Sequence, residues 1–121
     1  MLIVYISKTG KIERFLEKTE YPNLKRIVDG TEMVNEPFIL LTGTVGIGEI
    51  AQEVKDFLKN NHQLLKGVIG SGNKNWGAMY CKAAYKVAKK FDVPMLMTFE
   101  SAGTTHDVEE FNKVMAQFSP K

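Results

Sequence analysis

Five short apolar runs alternate with segments whose apolar residues recur every three or four positions. The runs cover residues 2–6, 24–28, 38–41, 65–69 and 94–99. Their length and their content of Val, Ile, Leu and Phe read as strands buried on both faces. The second run, with Lys25 and Arg26 inside it, is the most polar and suits a sheet edge. Between the runs lie amphipathic helices. Ile12, Phe15 and Leu16 mark one; Ile50, Val54, Phe57 and Leu58 the next; Ala84, Val87, Ala88 and Phe91 the third; Val108, Phe111, Met115 and Phe118 the last. The last begins on a capping pattern, Thr104 followed three residues on by Asp107. Residues 29–36 are too short and irregular to make a crossover helix.

Alternating β and α elements predict an α/β fold, a parallel sheet with helices on both faces. Five strands suit the doubly wound order 2-1-3-4-5. In that order ligands bind outside the carboxyl ends of the strands, where strands 1 and 3 diverge. A chain of 121 residues with no repeat or linker predicts one domain over residues 1–121, large enough to bury its own core.

Composition narrows the function class. The net charge is +2, too mild for a nucleic-acid footprint. One cysteine, Cys81, excludes an internal disulfide, and His62 and His106 stand apart from any metal-ligand spacing. The apolar runs are too short to span a bilayer, and the N-terminus lacks a signal pattern, so the expected location is the cytoplasm, away from membranes.

Three strand ends carry loops with chemistry in them. After strand 1 comes Ser7-Lys8-Thr9-Gly10-Lys11, opening a helix. A helix start offers free N–H groups and a positive dipole end, two hydroxyls add donors, and Gly10 lets an anion approach the backbone. The same residues would equally make an ordinary cap turn. After strand 3 come Thr42, Gly43, Thr44, Val45, Gly46, Ile47 and Gly48. After strand 4 come Gly70, Ser71, Gly72, Asn73, Lys74, Asn75, Trp76 and Gly77. These two loops suit a flat ring: glycines allow close contact, Asn73 or Asn75 can read ring edges, and Trp76 offers a stacking face. The alternative makes Trp76 a core residue and the glycines simple turns.

Other readings of the glycines fail. Gly46, Gly48 and Ala51 formally match the dinucleotide fingerprint, but the next strand ends in Gly70, with no acid for a ribose. Gly77 is followed by Ala78 rather than Lys, which excludes a P-loop. A phosphoacceptor domain would need an Asp where Thr42 stands. Cys81 reads as a small packing residue. Lys82, Lys86, Lys89 and Lys90 form a stripe on one helix, either a solvated surface or a docking site for an acidic partner.

Taken together, these segments resemble the NrdI flavodoxins, the small activators of class Ib ribonucleotide reductase. The matching stretches are residues 7–10 with Arg14 and Phe15, 42–48, 70–77, Val93-Pro94, and Phe99-Glu100 with Gly103-Thr104. Gly-Ser-Gly-Asn-Lys-Asn-Trp-Gly is the most specific of them. Lys11, Ser101 and the non-aromatic loop at Val45 and Ile47 depart from the family pattern.

The resemblance implies a flavodoxin-like fold and one non-covalent FMN. Its phosphate would lie in the loop of Ser7, Lys8, Thr9, Gly10 and Lys11. Its ring would lie between Thr42, Gly43, Thr44, Val45 and Gly46 on one side and Ser71, Gly72, Asn73, Asn75, Trp76 and Gly77 on the other. The chemistry would belong to the flavin, with no catalytic side chain and no protein-bound metal: a redox activator more than a turnover enzyme. The implied partners are dioxygen, a flavin-reducing electron donor, and the reductase's dimanganese small subunit. A superoxide-level oxidant would be passed to that subunit to generate its tyrosyl radical. The mildly basic charge, with Lys74 in a ring loop, favours this role, because a cation near the ring stabilises the reduced anion. The alternatives are a general electron-transfer flavodoxin serving another reductase, and a fold of this kind that has lost its flavin.

Overall fold

A computed structural model describes residues 1–118. The strands are β1 (Leu2–Tyr5), β2 (Leu24–Arg26), β3 (Phe38–Thr42), β4 (Leu65–Gly72) and β5 (Met95–Glu100). The helices are α1 (Lys11–Thr19), α2 (Gln52–Asn61), α3 (Lys82–Phe91) and α4 (Thr105–Ala116). All strand pairs are parallel and the sheet order is β2-β1-β3-β4-β5. The expected order and the edge position of β2 are therefore both present. Among the described residues no helix is long and apolar enough to cross a membrane.

The period of two along the strands divides the core. Leu2, Val4, Phe38, Leu40 and Val68 face one side, where Val54, Phe57 and Leu58 of α2 and Ala84 and Val87 of α3 cover them. Ile3, Ile39, Leu41, Ile69 and Phe99 face the other, under Phe15 and Leu16 of α1 and Phe111 and Met115 of α4. On that second face Phe15 stacks on Phe99, with ring centroids 3.9 Å apart, and meets Phe111 edge-on at 5.6 Å. Each such side chain contributes roughly 1.5–3 kcal/mol by leaving water.

The helices begin and end for local reasons. At α4 the expected capping box forms: the Asp107 N–H donates to Thr104 Oγ1, and the Thr104 N–H donates to Asp107 Oδ2. Helix α3 has no acceptor from its own cap residue; its Ala83 N–H is taken by Thr44 Oγ1 at 3.1 Å. That bond ties the loop after β3 to the start of α3.

Strand β4 runs further than its apolar run suggests. Gly70, Ser71 and Gly72, expected in a loop, continue the ladder against β5. The reason is packing against α3. A Cβ on Gly70 would lie 2.9 Å from the Ala84 Cβ, and one on Gly72 3.0 Å from the Cys81 nitrogen. Small residues here let the start of α3 sit directly on the strand.

No helix forms between β2 and β3, as expected. Side chains hold that crossover instead. Glu32 accepts from the N–H groups of Val28, Asp29 and Gly30. Asn61, buried at the end of α2, accepts from the Val34 N–H at 3.0 Å and donates to the carbonyls of Glu32 and Phe57. Burial alone would raise the Glu32 carboxyl pKa, but the backbone donors of Val28, Glu32, Asp29 and Gly30 outweigh it and hold the group below the usual carboxylate range.

Candidate functional site

Strands β1 and β3 lie side by side, yet α1 leaves to one face and α2 to the other. Their carboxyl ends therefore open onto a crevice, as the doubly wound order requires. A cavity of about 340 Å³ lies there, within the size range of small-ligand pockets.

One end of the cavity is the loop between β1 and α1. Gly10 is the cap residue of α1, with φ +82°, a left-handed conformation that disfavours a side chain. Its N–H donates to Ser7 Oγ at 3.1 Å, and its carbonyl accepts from the Arg14 N–H. Nothing stands within 4 Å of where a Cβ would be. The first-turn N–H groups of α1 lack carbonyl partners in their own helix, as at any helix start. Ser7, Lys8, Thr9 and Lys11 line the cavity beside them. Lys8 forms an ion pair with Glu53 in the first turn of α2. Hydrogen bonding from Lys8 is the main reason the Glu53 carboxyl lies below its ordinary range. Arg26 braces the same loop from β2, donating to the Ser7 carbonyl and pairing with Glu13.

One wall is the loop after β3. Gly43, Thr44, Val45 and Gly46 line it. Val45 and Glu49 exchange both backbone hydrogen bonds, which closes a small hairpin with Ile47 exposed at its tip. Lys86 of α3 donates to the Gly48 carbonyl from outside. Thr42 does not reach the cavity: it is fully buried at the end of β3 and donates to the Gly43 carbonyl.

The opposite wall is the end of β4 and the 3-10 segment Lys74–Met79 that follows. Ser71, Gly72, Asn73 and Trp76 line the cavity. Trp76 is 57% exposed, so it belongs to the rim and not to the core. Asn73 Oδ1 accepts from the Asn75 N–H, which starts the turn. Gly77 kinks it at φ 56°, ψ −119°, outside the wells open to other residues. Gly77 shapes the wall without lining the cavity. Asn75 and Lys74 line a neighbouring groove, where Glu100 accepts from the Lys74 N–H. Lys74, expected beside a ring, thus sits around the corner; the cations lining the cavity are Lys8 and Lys11.

The structure adds residues that the loop reading passed over. Ile6, Ile12, Ala51, Met79, Cys81 and Ser101 also line the cavity. Ser101 follows β5, and the strand-end rule that selected the other loops extends to it. Cys81 is buried against Gly72, and burial pushes its thiol up to about 11. A thiol so protonated is a poor nucleophile at neutral pH, in keeping with a packing role.

An anion-accepting helix start, a groove with an apolar floor and an exposed indole together suit a flat ring bearing a phosphate tail. Known proteins agree on the fold. A short-chain flavodoxin associated with a non-canonical PDU bacterial microcompartment superposes with a TM-score of 0.66 at 21% identity, covering 96% of this chain and 95% of that one. The family described as NrdI flavodoxin-like matches residues 3–113. On that match, which spans nearly the whole chain, the protein is a member of the NrdI flavodoxin-like family, a flavin-binding group.

Proposed function

We propose that the chain holds one FMN in the rim cavity and serves in the cytoplasm as the redox activator of a class Ib ribonucleotide reductase. The observation that carries the cofactor is the pairing of the α1 start at Gly10 with the Trp76 wall across one crevice. The phosphate would take the free N–H groups of the first turn of α1, with the Ser7 and Thr9 hydroxyls and the Lys11 ammonium beside it. The ring would lie between Gly43–Gly46 and Ser71–Trp76, with Trp76 against its edge or face. The cavity has one helix start suited to a single phosphate, and the glycines of residues 46–51 fail as a dinucleotide fingerprint, so FMN is expected and FAD is not.

Held by these residues, FMN would supply the redox chemistry, one-electron reduction of dioxygen to the superoxide-level oxidant that the dimanganese small subunit would use to form its tyrosyl radical. The chain's own part is to hold the ring at an open mouth, between exposed Ile47 and exposed Trp76, where oxygen can reach it and a partner can cover it. Lys11 places positive charge at the phosphate end of the cavity, while the Lys8 charge is balanced by Glu53. Family membership supports the reductase partner; the open rim supports handing an oxidant across a docked surface.

Two measurements test this. Flavin released from the purified protein should chromatograph as FMN, one per chain; FAD, or failure to take up FMN, overturns the cofactor. Reduced protein mixed with air and a manganese-loaded class Ib small subunit should give the tyrosyl radical by electron paramagnetic resonance, beyond what hydrogen peroxide gives. A general electron-carrier flavodoxin doing equally well would replace the activator reading with that of a carrier.

A further inference from the structure

The charges of this chain are unevenly placed. Helix α3 carries Lys82, Lys86, Lys89 and Lys90 and no acid from Lys82 to Phe91. The whole chain is only +2, so the remainder is net acidic. The other helices mix their signs: α1 and α2 alternate acids and bases, and α4 carries Asp107, Glu109 and Glu110 against Lys113. Among the described residues, the ion pairs join Lys8 to Glu53, Arg26 to Glu13 and Lys59 to Asp56, and none takes a lysine of α3.

Helical spacing puts Lys82, Tyr85, Lys86 and Lys89 on one side of α3. The buried side is Ala83, Ala84, Val87 and Ala88. Tyr85, 49% exposed, stands among the lysines. Two features connect this face to the rim: Lys86 donates to the Gly48 carbonyl, and Cys81, the residue that caps the start of α3, lines the cavity. Lys82 to Lys89 spans about 10 Å at 1.5 Å per residue, so the face runs from the cavity mouth down the side of the molecule.

We propose that this face of α3 docks an acidic protein electron carrier, the donor that recharges the bound flavin. This rests on the redox reading above. Charge complementarity selects the partner: a row of ammonium groups with no acid paired to it among the described residues steers an acidic surface and orients it, and the row ends at the mouth where electrons must enter. An exposed tyrosine amid the row gives such an interface an aromatic anchor. The arrangement favours a protein over a polyanion, because the positive charge is confined to one helix flank about 10 Å long, with a half-exposed tyrosine in it, whereas an extended phosphate backbone would run beyond it.

The test uses an acidic plant-type [2Fe–2S] ferredoxin as the probe, titrated against the FMN-loaded protein and followed by backbone amide shifts. Shifts should concentrate on α3 and the 46–48 turn, and the affinity should fall at least tenfold between 20 and 200 mM salt, an order of magnitude expected for several exposed charge pairs. The Lys82→Glu/Lys89→Glu double variant should lose at least tenfold, and Lys89→Gln about two- to threefold as a milder change, with FMN affinity unchanged in both. Shifts centred on another surface, or equal affinity for the double variant, overturn the proposal. So does tighter binding of anionic phospholipid vesicles or duplex DNA through the same lysines. Ferredoxin bound on α3 by a chain that takes up no FMN would leave the docking face standing and remove the redox reading instead.

Discussion

At Gly10 one residue separates binding from folding. Its left-handed φ makes any side chain costly, by roughly 1–2 kcal/mol, and the open space around its Cβ position is where an anion would sit. Gly10→Val should therefore lower the apo melting temperature modestly and weaken FMN binding far more; adding Thr9→Ala removes a hydroxyl donor. Fluorescence titration beside apo melts checks this, and unchanged affinity would put the phosphate elsewhere. Trp76 separates the two alternatives that its sequence context left open. At 57% exposure it cannot be a core residue. Its emission should be quenched on FMN binding, and Trp76→Ala should loosen the flavin by about 1–3 kcal/mol, the worth of an aromatic stack on a base-like ring. Identical emission from apo and holo protein would place the ring away from it. The loop chemistry was legible in these residues because Ser, Thr, Gly and Trp declare themselves by type. Side-chain direction was not: Thr42 turns inward to its own backbone, and Asn75 and Lys74 turn the corner into the next groove.

At the scale of elements, the sequence separated strands from helices through periodicity, and it failed where packing overrode composition. Gly70 and Gly72 look like loop residues, yet they extend β4 because α3 needs their missing side chains. Gly70→Ala should cost about 1–3 kcal/mol by forcing α3 off the strand, read as a lower denaturant midpoint, whatever the flavin does. The crossover between β2 and β3 was rightly read as lacking a helix. What replaces it was invisible, because Asn61 lies 27 residues from the Val34 it holds. The Glu32 carboxyl, held below its unfolded value, contributes stability that is present above the ordinary glutamate pKa. That contribution is lost as pH falls through the lower, folded value. Glu32→Gln should reduce stability at neutral pH by about 1 kcal/mol, the scale of exposed charge-assisted bonds. Its melting temperature should then vary less between pH 6 and pH 3 than that of the parent, and parallel pH profiles would show that the carboxylate charge is not what holds the turn.

For the whole molecule, the two faces of the sheet are bound together through strands that touch both, but not equally across its width. Strand β2 has only three residues, and its outer side faces solvent. The Ile3 N–H reaches the Asn23 carbonyl and the Ile27 N–H reaches the Tyr5 carbonyl along this seam, whereas the Ile6 N–H reaches Leu41 in the centre of the sheet. A seam so short, followed by a crossover without a helix, is the place for the sheet to open without global unfolding. In deuterated water, the amides of Ile3 and Ile27 should thus trade their hydrogens well before that of Ile6. The cavity end at Gly10 is not indifferent to this edge: Arg26 of β2 donates to the Ser7 carbonyl, so a molecule with its β2 edge parted would lose the brace on that loop and grip an anion there less firmly.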